Sequence, residues 1–219
     1  MGRVDDVDRL LTACEVLGNS EHWFRPEGYH DGLALCIIDS IQSTGSHYAS
    51  VRNVVGRYRR HRGDAATIDG TGELLATFDT CGGVDGWARE IGNLKPASTR
   101  KGASLKAAVI QEVARNLHDD GVRTTDDLRA RGALELGNEA RRLATKKLWT
   151  NVEAQSSGIT WNYALMLAGV PGVKADRMVT RFVSRALHGV ELSPETAASL
   201  VREVAQQMAV PATDLDHAI

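Results

Sequence analysis

The sequence predicts an all-α protein, and three observations carry that expectation. Apolar residues recur at spacings of three and four through most of the chain, as in helices with one buried face. β-Branched runs are sparse, and no segment alternates long enough to propose a sheet. Proline occurs only five times in 219 residues. A hydrophobic content of 42% with 25% charged residues suits a globular chain, long enough for one sizeable core or two small lobes sharing one.

The elements follow in order. Residues 3–18 read as an amphipathic, acidic helix that breaks at Gly18-Asn19-Ser20. Helices are expected next at 30–43 and 46–62, the second ending at Arg62-Gly63-Asp64. Two shorter ones at 71–79 and 83–92 precede a long helix at 98–119, closed by Asp119-Asp120-Gly121. Thr124-Thr125-Asp126-Asp127 opens a helix at 124–132, and another follows at 134–149. Gly158 interrupts before a helix at 159–168, which ends in the glycines between 169 and 172. The last two helices lie at 176–188 and 193–208, the latter opened by a serine cap with proline in its first turn, Ser193-Pro194-Glu195.

Several classes are excluded on composition. No apolar stretch approaches the roughly 20 residues needed to span a bilayer. The amino-terminal MGRVDDVDRLLTACEVL lacks the apolar core of a signal peptide, so the expected compartment is the cytoplasm. Cys14, Cys36 and Cys81 are far apart, with no C-x-x-C pair and no adjacent histidine at ligand spacing. Neither a disulfide framework, a thiolate-held cluster nor any other metal site is expected. The net charge of −2 gives no global attraction to nucleic acid. Local basic stretches do occur at 52–62, 99–106 and 141–147, the first carrying Arg52, Arg57, Arg59, Arg60 and Arg62 without an acid. Such clusters are either solvated helix ends or phosphate contacts.

Two stretches carry the functional argument. In GVPGVKADRMVTRF (169–182), Asp176 precedes Val179, Phe182, Val183, Ala186 and Leu187, which share one helical face. Asp176 therefore sits at a helix start. The plain role there is a cap for the free N–H groups of the first turn. In AQSSGITWNYALMLAG (154–169), one helix ends before Ser156-Ser157-Gly158 and a second begins almost at once. An ordinary turn between packed helices explains this, but such a hairpin also aims consecutive N–H groups outward, as a phosphate requires.

Taken in order, these segments resemble the helix–hairpin–helix DNA glycosylase superfamily that includes endonuclease III. DRMVTRFVSR (176–185) is similar to the segment around the family's essential aspartate, with Asp176, Val179, Arg181 and Arg185 in the matching places. CIIDSIQSTGSHYASVRNVVGRY (36–58) resembles the family's early helix pair, where an apolar helix ends in Ser-x-Gln, here Ser40-Ile41-Gln42. The Gly158 hairpin lies upstream of Asp176 at roughly the family spacing, and the closing LDHAI (215–219) looks like a carboxy-terminal segment of some relatives. The resemblance spans about residues 30 to 190. It implies a two-lobed glycosylase-like fold with a central cleft. Residues 1–40 and 175–219 would form a terminal helical lobe, and 41–174 a central bundle with its hairpin near 145–168.

The departures bear on the activity. The family hairpin usually reads Leu-Pro-Gly-Val-Gly, whereas this chain has Gln155-Ser156-Ser157-Gly158-Ile159. Bifunctional members place a Schiff-base lysine just inside the next helix; here Ile159, Thr160, Trp161 or Asn162 stands there. Lys174 is a nearer substitute, or a phosphate-facing surface charge. No cysteine follows Cys81, so the iron–sulfur cluster of endonuclease III is not expected. A monovalent cation held by hairpin carbonyls is the cofactor that the resemblance allows. In a competing register, VPGV (170–173) is the hairpin and Glu191 or Glu195 the essential acid, at the cost of the Arg181 and Arg185 matches.

The expected function is thus a monofunctional DNA N-glycosylase that flips and excises a damaged or modified base. Its partner would be double-stranded DNA, and the protein a monomer. Asp176 would stabilise the oxocarbenium-like sugar and orient or deprotonate the attacking water. Gln42 would fill the gap left by the extruded base, and Ser157, Gly158, Ile159, Thr160, Lys174 and Arg52 would contact DNA. Trp23, Tyr29, His30, Tyr48 and Trp161 are candidates to line the base pocket, although large aromatics more often pack cores. His47 lies in the same region. The alternatives are a glycosylase-fold protein that binds DNA or lesions without catalysis, and a helical interaction module unrelated to DNA.

Overall fold

The computed structural model describes residues 3–23, 27–132 and 138–219. Its α-helices are α1 (Arg3–Cys14), α2 (Leu33–Gln42), α3 (Tyr48–Arg62), α4 (Thr71–Thr80), α5 (Val84–Glu90), α6 (Lys106–Asp119), α7 (Thr125–Gly132), α8 (Glu139–Thr150), α9 (Ile159–Leu167), α10 (Arg177–Ala186), α11 (Pro194–Gln207) and α12 (Ala212–Ala218). The described residues form no strand, only an isolated antiparallel bridge between Pro96 and Leu105. The protein is all-α. None of its described helices is long and apolar enough to cross a membrane.

The chain divides into two compact units: Met1–Glu27 with Pro171–Ile219, and Gly28–Val170. The boundary expected between 40 and 41 falls inside α2, which packs within the second unit, and the return falls at 171 rather than 175.

In the first unit, α1 buries Val7, Leu10 and Cys14 among Val179, Val183 and Leu187 of the α10 region and Ala197, Val201 and Val204 of α11. Each fully buried Val or Leu contributes roughly 1.5–3 kcal/mol, so this stripe is what makes the helices pack. Ser193 caps α11, its hydroxyl accepting from Thr196 N at 3.2 Å with Pro194 in the first turn, as its sequence implied.

In the second unit, every residue of α2 is buried, Leu33 to Gln42. A helix apolar all round must lie in a core, and α3, α6 and α9 pack around it. Three buried polar side chains interrupt it, each with a partner: Asp39 accepts from the Tyr29 hydroxyl at 2.7 Å, Ser40 donates to Ile37 O at 3.1 Å, and Gln42 accepts from Asn93 at 2.8 Å. Phe78 stacks on Trp87 at 4.7 Å, and Trp149 meets Trp161 edge-on at 5.8 Å.

Three differences from the sequence expectation have physical causes. Residues 98–105 are not helical: Ala97 N donates to Ser104 O, Lys106 N to Lys95 O, and Gly102 at φ 80° turns the loop between them. The helix expected over 134–149 is described only from Glu139; residues 133–137 lie outside the described residues. The sequence reading did not anticipate α12.

Candidate functional site

The hairpin lies between α8 and α9. Gln155 is buried, and its side-chain oxygen accepts from the Thr160 hydroxyl at 2.5 Å, which itself accepts from Trp149 Nε1 at 2.9 Å. This chain locks the turn against the core. Gly158 sits at φ 70°, ψ 4°, a left-handed conformation that costs other residues roughly 1–2 kcal/mol, and its N–H donates to Gln155 O at 3.0 Å. A Cβ there would stand 3.0 Å from Lys146 Cε, so that lysine lies over the glycine. Of the four residues expected to contact DNA here, Ser157 is exposed, Ile159 half-buried, and Gly158 and Thr160 buried. The Thr160 hydroxyl is spent inside the protein. Lys146, which the sequence showed only as part of a basic stretch, is the cation at this turn.

The end of α2 is equally constrained. Gln42 is 1% exposed, held by Asn93, and its buried Nε2 has no hydrogen-bond acceptor among the described residues. In this conformation Gln42 does not protrude as a wedge. Lys106, at the start of α6, is 3% exposed and donates to Gln42 O (2.9 Å), Thr44 O (2.5 Å) and Ser46 Oγ (3.0 Å). All three ammonium protons are thereby satisfied at the negative end of α2. Burial, followed by the nearby Lys95 charge, lowers its pKa to about 8.

The aromatic candidates separate. Trp161 is fully buried against Trp149 and is a core residue. Trp23 belongs to the first unit, donates from Nε1 to Leu17 O at 2.9 Å, and packs on that core. Tyr29 and Tyr48 do share a neighbourhood: burial raises both phenol pKa values, and the Asp39 carboxylate raises them further. Arg59 lies 5.6 Å from the Tyr29 ring centre, and Tyr48 is exposed at the start of α3. The His30 carbonyl accepts from Arg129 at 2.6 Å, and its ring lies where a Gly169 side chain would be. Asp39, missed in the sequence, is the buried charge that unites Tyr29 and Tyr48.

The basic stretch on α3 is not uniformly free. Arg57 donates to the carbonyls of Ile91 and Gly92, and Arg62 grips the buried Asp69 through Nε (2.7 Å) and Nη2 (2.9 Å). Arg52, Arg59 and Arg60 are exposed.

In the first unit, Asp176 is the N-cap of α10, and its Oδ1 accepts from Met178 N at 2.7 Å and Val179 N at 3.3 Å. Beside it stands Asp216 of α12, 8% exposed, accepting from Lys174 N at 2.9 Å. Burial first, then the Asp176 charge, raises the Asp216 pKa to about 7, against the Lys174 N–H bond and charge. Burial and Lys174 lower the pKa of the neighbouring His217, which Asp214 opposes. The described residues hold no group of three or more His, Cys, Asp or Glu arranged for a metal ion, and Cys14, Cys36 and Cys81 are buried and free.

No curated protein and no solved structure matches the chain. The model of a family described as a domain of unknown function, DUF8548, matches residues 8–219. With all but the first seven residues covered, the chain belongs to the DUF8548 family.

Proposed function

We propose that this protein is a monofunctional DNA N-glycosylase that excises a damaged or modified base and leaves an abasic site. The observation that carries the reading is Asp176: the residue that fills the essential-aspartate place caps α10 through Oδ1 alone. Capping and catalysis are then compatible, because Oδ2 receives no hydrogen bond from the described residues. In the reaction the C1′–N bond breaks with its electron pair passing to the base. Asp176 stabilises the positive sugar that remains. Water adds to C1′, its proton passing to Asp176, and the departing base takes up a proton from solvent. The α8–α9 turn with Lys146 above Gly158 supplies phosphate contact. Arg52, Arg59 and Arg60 supply further positive charge. The proposal includes the two-lobed glycosylase-like fold and a cytoplasmic monomer as the working form. No residue proposed here requires a metal cofactor.

A second reading, a DNA- or lesion-binding protein without excision, is favoured by one observation. Gln42 is buried on Asn93 instead of projecting as a wedge. Duplexes carrying uracil, alkylated purines, oxidised bases or phage-type modified bases separate the two. Excision predicts free base and an alkali-labile, unnicked strand from at least one of them. Salt-dependent binding to an abasic-analogue duplex with no base released from any substrate selects the second reading. No binding to any duplex sinks both.

A further inference from the structure

We infer that Asp216 is a positioning residue for the excision reaction: its buried carboxyl group holds the backbone of Lys174 and so sets where the Asp176 carboxylate is presented. This rests on the function proposed above. The connection is a continuous chain of hydrogen bonds. Asp216 Oδ1 accepts from Lys174 N at 2.9 Å, Lys174 O accepts from Asp176 N at 2.6 Å, and Asp176 Oδ1 accepts from Met178 N at 2.7 Å. A second grip lies one turn earlier on α12, where Thr213 Oγ1 accepts from Gly172 N at 3.0 Å and donates to Gly172 O at 3.3 Å. Thr213 and Asp216 are three residues apart, on one face of α12, and they hold alternate residues of an otherwise irregular segment. Leu215 is buried in the unit's core, which seats α12 itself.

A carboxyl group is a costly choice for a merely structural grip. It is buried next to another carboxylate, and both effects keep its proton to about pH 7. The charged groups acting on it are Lys174 and Asp176 on the approach to α10; Asp214 and His217 are its neighbours along α12 and act on one another and on Lys174. Ionisation of Asp216 strengthens its bond to Lys174 N and adds negative charge beside Asp176. Both changes favour a cationic sugar, so excision rises with pH as Asp216 ionises.

The test uses the full chain with Asp216→Asn and Asp216→Ala. In single-turnover excision the wild type shows a rise centred near pH 7, and Asp216→Asn lacks it. Asp216→Ala, which loses the grip, lowers kcat about 10- to 100-fold with KM little changed, as expected of a displaced catalytic group. Amide NMR signals of Lys174, Asp176 and Met178 move in Asp216→Ala and stay near wild type in Asp216→Asn. A wild-type pH profile in Asp216→Asn overturns the inference, as do unmoved amide signals in Asp216→Ala. If the wild type excises nothing, the glycosylase reading falls, and the amide signals still decide whether Asp216 positions Asp176. If Asp216→Ala fails to fold, the pH profile and amide signals of Asp216→Asn carry the decision.

Discussion

Lys106 holds the end of α2 by its backbone: its Nζ lies 2.9 Å from the carbonyl oxygen of Gln42, and no carboxylate among the described residues pairs with it. The pKa depression from 10.5 to about 8 means that folding favours the neutral amine. In an unfolded chain the lysine keeps its proton up to its ordinary value. Between those two pH values the unfolded state binds more protons, so stability from this group rises with pH. The wild type should therefore gain roughly 3 kcal/mol on Lys106→Met between pH 8 and 10.5, at about 1.4 kcal/mol per pKa unit. Urea unfolding of both proteins across that range measures the difference; a constant difference refutes it.

Asp216 gives a slope of opposite sign at lower pH. Its folded pKa is raised from 3.8 to about 7, so its stabilising contribution is complete below 3.8 and disappears as pH rises through 7. Relative to Asp216→Asn, the wild type should lose on the order of 4 kcal/mol across that window. Thermal or denaturant midpoints at pH 4 to 8 would show the curves converging or crossing. Parallel curves would mean that Asp216 ionises at its ordinary pH.

Asp69, like Asp39 a buried carboxylate of the second unit, is 2% exposed, gripped twice by Arg62 and once by the Tyr58 hydroxyl at 2.8 Å. Asp69→Ala leaves both partners unanswered. The cost should fall at about 3 kcal/mol, the low end for a broken buried pair, because the Arg62 side chain keeps 30% exposure. A change below about 1 kcal/mol in urea unfolding would show that water replaces the carboxylate freely.

Gly158→Val meets both a left-handed backbone and the Lys146 side chain. The variant should bind every duplex more weakly by a similar factor, since phosphates carry no sequence information. Lys146→Ala should reduce the slope of log affinity against log salt by about 1, one phosphate contact. A loss confined to one lesion, or an unchanged slope, would remove this turn from the DNA interface.

Asp176→Asn should abolish base release while leaving the fold and lesion binding largely intact. Asparagine caps helices about as well as aspartate, so a purely structural residue tolerates the change. Loss of a preorganised charge is worth on the order of 3 kcal/mol, at least about a hundredfold in rate. Full activity in the variant would return Asp176 to the status of a cap. Borohydride trapping of wild-type protein on DNA would point to lysine chemistry instead, with Lys174 the first residue to replace.

Periodicity made most of the helices legible, because a stripe such as Val179, Val183 and Leu187 has no other economical explanation. It failed at 98–105, where hydrogen bonds to the Lys95–Ala97 segment override local pattern, and at α12, too short to display a period. The cap at Asp176 was legible for the same local reason. Asp216, Lys106 and Asp39 were not, since a lone charged residue says nothing about burial until distant helices close over it. The arginines of α3 make the converse point. Five arginines within 52–62 read as solvated helix ends or phosphate contacts, yet Arg57 and Arg62 are committed to internal carbonyls and to Asp69.

The order in which the chain contributes to its two units constrains how it is made. Val7, Leu10 and Cys14 share a core with Val173, Val179, Val183, Ala197, Val201 and Val204, all made after the whole of Gly28–Val170 has been synthesised. During translation α1 is thus an apolar stripe still lacking those partners, while the inserted segment already owns a core of its own. Closing so long a loop is slow compared with forming local helix pairs. The first unit, and with it Asp176 and Asp216, consequently matures last. A newly made chain passes through an interval in which the hairpin unit is formed and its carboxylates are not yet assembled.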